Sequence, residues 1–207
     1  MRKILKMYIY PICFLILFFF NSSFSVAVDE LTAEQIYKKI KLYKSLNENN
    51  VKFNLERMSR GEAIKTSNYA PWHAENDGNE ERDKEINLLT ENLAKKAQFG
   101  EPLAVLYSAN LLADNELYDL AIEWYKRAGA AGVSTAYWNI AVMYANGLGK
   151  TTSKLAALEY YYLAGVGFLN AGDRAQALAS LEAMQAIRME HELSKRLERQ
   201  LNKTAPK

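Results

Sequence analysis

The segment AIEWYKRAG at residues 121–129 returns 36 residues later as ALEYYYLAG at residues 157–165. Both copies begin with alanine, carry two adjacent aromatic side chains at their centre and end with alanine and glycine. A weaker match at an offset of 32 residues pairs Glu91, Gly100 and Ala104 with Glu123, Gly132 and Ala136, respectively. Repeat periods in the thirties are typical of helix–turn–helix units, which bury their apolar faces against one another in a stack. The sequence therefore predicts a solenoid of paired helices.

The chemistry of the repeated positions supports this interpretation. Small residues recur where helices would approach closely, aromatic residues recur where space between helices must be filled, and glycines recur where the chain must turn. The small residues are Ala121, Ala128, Ala136, Ala157 and Ala164, the large ones are Trp124, Tyr125, Tyr144, Tyr160 and Tyr161, and the turn glycines are Gly132, Gly147 and Gly149. We expect the alanines and the aromatic residues to lie at helix interfaces.

Length and composition agree with an all-helical chain. The 207 residues suggest one domain, or one domain with a short extra region. Hydrophobic residues make up 49% of the chain and charged residues 24%, so the chain can bury a core. No proline interrupts residues 103–205, and Pro102 fits the first turn of a helix. This composition excludes collagen-like, low-complexity and disulfide-rich classes.

Residues 136–149, AYWNIAVMYANGLG, followed by AALEYYYLAG at residues 156–165, resemble a Sel1-like repeat. The pattern of that family is alanine, a Leu-Gly-like pair, tyrosine and Gly-x-Gly, and later Ala-x-x-Trp-Tyr-x-x-Ala. Here Ile140-Ala141 replaces the Leu-Gly pair. The preceding unit, residues 104–132, matches in its second helix but has Asp114-Asn115 instead of the glycine-rich turn. This shorter turn resembles a tetratricopeptide repeat.

Residues 163–187 also resemble a tetratricopeptide repeat, so residues 154–168 have two interpretations. They are either the second helix of a Sel1-like unit or the first helix of a tetratricopeptide unit. The Sel1-like register is preferred because the 36-residue offset continues through Gly165. The resemblance covers about residues 83–190. It implies an all-α fold, a right-handed α-solenoid of Sel1-like or tetratricopeptide-like helix–turn–helix repeats, which acts as a protein-interaction scaffold.

Helices are also predicted before the repeats. Residues 29–46 favour a helix in which Thr32 caps the N-terminus and Gln35 is its capping-box partner. A second helix begins near residue 80 and ends in a glycine C-cap at Gly100. Its buried face is predicted from apolar residues at steps of three and four: Ile86, Leu89, Leu93 and Ala97.

Two more helices are predicted after the Sel1-like unit. Residues 174–188 form the first, and a capping helix follows it. The apolar side chains of the capping helix recur at four-residue steps, at Met189, Leu193, Leu197 and Leu201. A dimerising coiled coil is the alternative for this last segment. We divide the chain into a signal peptide at residues 1–25, an N-terminal helical region and linker at residues 26–82, and a repeat domain with its capping helix at residues 83–203.

The first residues have the pattern of a secretory signal peptide. Three basic residues precede an apolar run of 14 residues, 7–20, which is shorter than the roughly 20 residues that a membrane-spanning helix needs. Small residues then permit cleavage after Ser25 or Ala27. Cys13 lies inside the apolar run, which argues against lipoprotein processing. We expect an exported chain, periplasmic or secreted, and the alternative is an uncleaved inner-membrane anchor.

Removal of the signal changes the charge and the redox chemistry of the chain. The formal net charge is +2, but without the three basic residues of the signal 23 basic residues face 24 acidic ones. A near-neutral mature chain gives no electrostatic reason to expect nucleic acid as a partner. The only cysteine leaves with the signal, so no disulfide can form within the mature chain.

The sequence offers no recognisable catalytic chemistry. It contains no Gly-x-Ser-x-Gly motif, no P-loop and no dinucleotide-binding fingerprint. Of its two histidines, His191 is expected to be a solvated residue on a helix. The other, His73, stands with Glu75 and Asp77 in a predicted loop, which is a poor match to a closed metal site. We therefore predict no enzyme activity, no catalytic or metal-binding residue and no cofactor.

The resemblance points instead to a binding surface along the first helices of the repeats. The outward positions, carried over by register around Ala109 and Ala141, are Leu106, Asp114, Trp138 and Asn146. An aliphatic or aromatic anchor beside a polar hydrogen-bonding residue suits a peptide ligand. The alternative is that these residues pack against residues 29–82, which then fill the groove themselves.

Three functions remain open at this point. The first is an exported scaffold or adaptor of a bacterial envelope that binds a protein or peptide without catalysis. Bacterial origin is inferred from the signal and the repeat type. The second is an envelope enzyme or glycan-binding factor with a site between residues 29–82 and the repeats. The third is a structural subunit of a secretion or pilus assembly. Contact with the membrane is expected only through an uncleaved signal.

Overall fold

The computed structural model describes residues 30–44 and 80–204. The predicted signal peptide at residues 1–25 and most of the predicted linker, with His73, Glu75 and Asp77, lie outside the described residues. The described residues form eight α-helices and contain no β-strand. The helices are α1 (Ala33–Lys44), α2 (Glu80–Gln98), α3 (Pro102–Asp114), α4 (Tyr118–Ala130), α5 (Ser134–Asn146), α6 (Lys154–Asn170), α7 (Arg174–Ile187) and α8 (Glu192–Lys203).

From α2 onward, each helix packs against the next one along the chain, which produces an α-solenoid. At the N-terminal end α1 packs against both α2 and α3, and at the C-terminal end α8 packs against both α6 and α7. The predicted all-α solenoid is therefore confirmed. The helix with two sequence interpretations, α6, contacts both α5 and α7.

Local signals determine the helix ends. The Thr32 N–H donates to Oε1 of Gln35 at 2.9 Å, and the Gln35 N–H donates to Oγ1 of Thr32 at 3.2 Å, which is the predicted capping box. Gly100 has a φ of +83°, a left-handed conformation that favours glycine, and Pro102 begins α3. These predicted boundaries are confirmed because each depends on residues that are close in sequence.

Two core clusters hold the stack together. The first involves α1 to α5, and the second α5 to α8. All five repeated alanines are fully buried, as predicted. Two glycines within helices leave no room for a side chain: a Cβ on Gly129 would meet the Tyr137 ring at 2.5 Å, and one on Gly165 would meet Leu197 at the same distance. Small residues are thus needed for this spacing, as the sequence pattern indicated.

The C-terminal end differs in detail from the prediction. Helix α8 begins at Glu192, so Met189 precedes it and is 69% exposed instead of lying on its apolar face. His191 is the N-cap residue of α8, and its Nδ1 accepts the Leu193 N–H at 3.3 Å, so it is not a solvated side chain within a helix. Leu197 and Leu201 are buried against the second core, which agrees with a capping helix.

Candidate functional site

One stripe of residues on α3 is more exposed than the rest of the helix. Leu103, Tyr107, Asn110 and Asp114 are spaced by four, three and four residues, so they share one side of the helix. All four are at least partly exposed, whereas most of their neighbours on α3 are buried. With the outward side of α5, this stripe forms a surface that we call the first-helix face: Leu103, Tyr107, Asn110 and Asp114 of α3, and Thr135, Trp138, Asn139, Val142 and Asn146 of α5.

Helix α1 lies along one edge of the first-helix face. The ring of Tyr37 stacks on that of Tyr107, with 5.0 Å between ring centroids. The Tyr37 hydroxyl donates to Oδ2 of Asp114 at 3.3 Å, and Nζ of Lys41 lies 3.6 Å from the same oxygen. Burial, and then the charge of Asp114, raise the pKa of Tyr37 above its ordinary value, so its hydroxyl remains a donor at neutral pH. Asp114 is thus anchored to α1.

On the other side of the stripe, two donors meet one amide oxygen. The hydroxyl of Tyr125 on α4 donates to Oδ1 of Asn110 at 2.8 Å, and Nδ2 of Asn139 on α5 donates to the same oxygen at 3.3 Å. Tyr125 is buried, and burial raises the pKa of its hydroxyl above the ordinary value of 10.0. A protonated Tyr125 can therefore hold the Asn110 amide in a fixed orientation.

This arrangement leaves one donor and one acceptor uncommitted. Neither Nδ2 of Asn110 nor Oδ1 of Asn139 has a hydrogen-bond partner in the part of the chain that the structure describes. Both side chains are half-buried at the junction of α3 and α5. We call Asn110 and Asn139 the asparagine pair. The pair offers an amide donor and an amide acceptor to a ligand, and its own internal hydrogen bond keeps both in place.

The four binding residues predicted from the sequence have different surroundings. The expected outward position of Leu106 is wrong, because this side chain is 6% exposed and belongs to the first core. Asp114 is exposed but contacts α1, so the alternative of packing against the N-terminal region applies to it.

Trp138 is half-buried, with its ring edge-on to that of Tyr161 and 4.9 Å between ring centroids. Asn146 is exposed, and its Nδ2 donates to the Val142 carbonyl at 2.8 Å.

Sequence reasoning missed the asparagine pair and its buried partner. The signal for Tyr125 was present, because Tyr125 corresponds to Tyr161 in the 36-residue repeat. No such signal exists for Asn110, whose counterpart at an offset of 32 residues is Val142. In this 32-residue register Asn139 corresponds to Tyr107, so neither asparagine of the pair recurs.

The described residues provide little for other chemistries. Within residues 30–44 and 80–204, no group of three or more histidine, cysteine, aspartate and glutamate side chains is arranged to hold a metal ion. Over the same ranges, every helix is too short or too polar to cross a lipid bilayer. The charged residue of the first-helix face is Asp114, and Nζ of Lys41 on α1 lies 3.6 Å from its Oδ2. What the face presents is mainly apolar and neutral polar surface.

The chain was also compared with known proteins. No family model matches it, and neither a curated protein nor a solved structure does so. Function must therefore be argued from the geometry of the first-helix face.

Proposed function

We propose that this chain is an exported scaffold of a bacterial envelope, which binds a protein or peptide along its first-helix face. The repeats are Sel1-like or tetratricopeptide-like, and a signal peptide at residues 1–25 directs export. Binding requires no cofactor and no covalent chemistry. The proposal combines the sequence pattern of residues 1–25, the resemblance of residues 83–190 and the exposed surface of α3 and α5.

The asparagine pair is the observation that carries this proposal. Asn110 is half-buried, and its Nδ2 is not among the fully buried atoms that lack a partner in the described residues, so this atom reaches the surface. Here Tyr125 and Asn139 satisfy only one of the two polar atoms of the Asn110 amide. An amide that is fixed in position yet open on its outer side suits recognition of a ligand that carries complementary amide groups.

The residues around the pair agree with a peptide ligand. Leu103 is 47% exposed, and Trp138 and Val142 are partly exposed on α5. Apolar side chains beside fixed polar groups combine affinity with orientation, as expected of a recognition surface. Because opposite charges are paired where α1 meets α3, strong selection for a highly charged partner is not expected.

Affinity capture from crosslinked cells tests the proposal. The full chain with a C-terminal tag is compared with the double variant Trp138→Ala, Asn146→Ala. The matched control, Tyr162→Ala with Asn170→Ala, removes an aromatic and an asparagine from α6. Circular dichroism and the urea midpoint must show that both variants remain folded. We expect one envelope protein to be lost from the first variant and kept by the control. Equal recovery from all three forms would contradict binding at the first-helix face.

A further inference from the structure

Three tyrosine rings form a cluster on the side of α5 that lies opposite the first-helix face. Tyr144 stacks on Tyr160 of α6, with 5.7 Å between ring centroids and 6° between ring planes. Tyr137 lies beside the same Tyr160 ring, with 6.2 Å between ring centroids. Val142, on the first-helix face, precedes Tyr144 by two residues, which is a rotation of about 200° around the helix. We call Tyr137, Tyr144 and Tyr160 the tyrosine cluster.

The hydroxyl groups of the tyrosine cluster are uncommitted and reach the surface. All three residues are partly exposed. None of their hydroxyls has a hydrogen-bond partner within residues 30–44 and 80–204, and none is among the fully buried polar atoms that lack one. Burial raises the pKa of Tyr160, against the opposing effect of the nearby Lys126 ammonium, so this hydroxyl remains a donor at neutral pH. The cluster thus presents aromatic rings together with three hydroxyl groups.

The charged side chains beside the cluster are paired with one another. Nζ of Lys126 lies 2.9 Å from Oε1 of Glu123, and Nζ of Lys150 lies 2.8 Å from Oδ1 of Asp119. The pKa of each lysine is raised mainly by its carboxylate partner and to a smaller extent by Tyr144, which places both ion pairs near the cluster. A ligand of the cluster therefore gains little from a net charge, and both carboxylates already have a donor.

A proline-rich segment in the polyproline II conformation matches these properties. Its backbone has no internal hydrogen bonds, so its carbonyl groups are free to accept from tyrosine hydroxyls. Proline has no N–H that would be left unpaired, and its apolar ring can lie against an aromatic ring. In a helical segment the carbonyl groups are already bonded along the helix. A sugar brings several hydroxyl donors, for which the paired carboxylates provide few acceptors.

The spacing of the rings also suits this conformation. Tyr137 and Tyr144 are two turns of α5 apart, a rise of about 10 Å. One turn of polyproline II contains three residues and rises about 9 Å. A segment that runs along α5 with proline at every third position can therefore place one proline on each of these rings, and Tyr160 contacts both rings.

We propose that the tyrosine cluster binds a proline-rich segment in the polyproline II conformation, with prolines three residues apart. The tyrosine hydroxyls donate to main-chain carbonyl groups of this segment. The inference goes beyond the proposed function, because the cluster and the first-helix face lie on opposite sides of α5. Glu159, one residue before Tyr160, is turned about 100° away around α6 and is not expected to contact the segment.

Titration of the full chain with two peptides of equal composition tests the spacing. The first peptide repeats Pro-Ala-Ala four times, and the second repeats Pro-Pro-Ala-Ala-Ala-Ala twice. Tyrosine ring signals of the chain labelled with carbon-13 report binding, and replacement of each tyrosine by phenylalanine assigns its signal. We expect the first peptide to shift the three cluster signals and to bind about fivefold more tightly than the second, which reaches one ring at a time. Equal Kd values would overturn the inference.

Removal of one hydroxyl tests the hydrogen bonds. Tyr160→Phe keeps the aromatic ring, and we expect it to weaken binding of the first peptide about fivefold, the loss expected for one hydrogen bond. Tyr144→Phe is a second, independent test with the same expected result. Tyr162→Phe, at a partly exposed position on α6 outside the cluster, is the matched control and leaves the Kd unchanged. Urea midpoints verify that each variant is folded. An unchanged Kd in both folded cluster variants would contradict the proposal.

The remaining outcomes separate the inference from the proposed function. If Trp138→Ala with Asn146→Ala weakens binding of the first peptide and Tyr160→Phe does not, the peptide binds to the first-helix face, so the inference fails and the proposed function stands. Shifts of the cluster signals with cellohexaose but with neither peptide would identify a sugar as the ligand and overturn the inference. If nothing shifts these signals, the inference fails, and the affinity capture still decides the proposed function.

Discussion

Gly149, in the turn between α5 and α6, is the position where the structure predicts the largest effect of one added methyl group. Its φ is +72°, and a side chain in this region costs about 1–2 kcal/mol. A Cβ there would also run into the N-terminus of α4: it would collide with Cβ of Tyr118 and lie 2.9 Å from the Tyr118 carbonyl carbon and 3.0 Å from the Asp119 nitrogen. The last two atoms are backbone, so they cannot move aside as a side-chain end can.

The two costs add up to a large loss of stability for Gly149→Ala. Overpacking against a fixed neighbour costs about 1–3 kcal/mol, which brings the expected decrease in the free energy of unfolding to about 2–5 kcal/mol. Gly172 provides a matched control, since its φ is +80° and a Cβ there would meet no atom within 4 Å. Gly172→Ala should cost only the conformational part, about 1–2 kcal/mol.

Urea unfolding, followed by circular dichroism, measures both variants under one set of conditions. The reduced entropy of the unfolded chain affects the two alanine variants alike, so their difference isolates the collision with α4. We expect Gly149→Ala to be less stable than Gly172→Ala by about 1–3 kcal/mol. Equal losses would mean that this turn does not pack tightly against α4, the helix that carries Tyr125.

Three further predictions concern the N-terminal cap, the buried tyrosine and export. Thr32→Ala should lower the free energy of unfolding by about 1 kcal/mol because the capping box with Gln35 is lost, and the urea midpoint checks this. Burial raises the pKa of Tyr125 in the folded state above the ordinary value of 10.0. The tyrosine therefore contributes fully to the free energy of unfolding below pH 10.0, and this contribution is lost as the pH rises above that value. Urea midpoints measured from neutral to alkaline pH should therefore fall less steeply in Tyr125→Phe than in wild type, and identical slopes would contradict the assignment. Mass spectrometry of the exported chain should show cleavage after Ser25 or Ala27, and a full-length chain in the membrane fraction would favour the anchor instead.

The features that the sequence predicts well are local or repeated. The caps at Thr32 and Gly100 depend on residues a few positions apart. The buried alanines recur with the helix–turn–helix period, so comparison of the chain with itself detects them. Because these small residues set the spacing between helices, the sequence alone predicts the solenoid.

The features that the sequence does not predict depend on contacts between distant segments. Tyr37 reaches Asp114, which is 77 residues away along the chain, and nothing in the repeat pattern indicates this contact. Asn110 and Asn139 meet because α3 and α5 both pack against α4. Register alone predicts that Leu106 lies at the surface, but this side chain is buried in the first core. Register therefore gives the position of a residue along a helix more reliably than its exposure.

Site-specific photo-crosslinking in living cells shows directly whether the first-helix face binds a protein partner. A photoreactive amino acid replaces Asn146, which is exposed on this face, and in a second strain it replaces Glu159, which is exposed on α6. We expect one discrete adduct with an envelope protein from the Asn146 position, suppressed by the added Asn139→Ala change, and none from the Glu159 position. The same adducts from both positions, or an adduct from Glu159 alone, would contradict it.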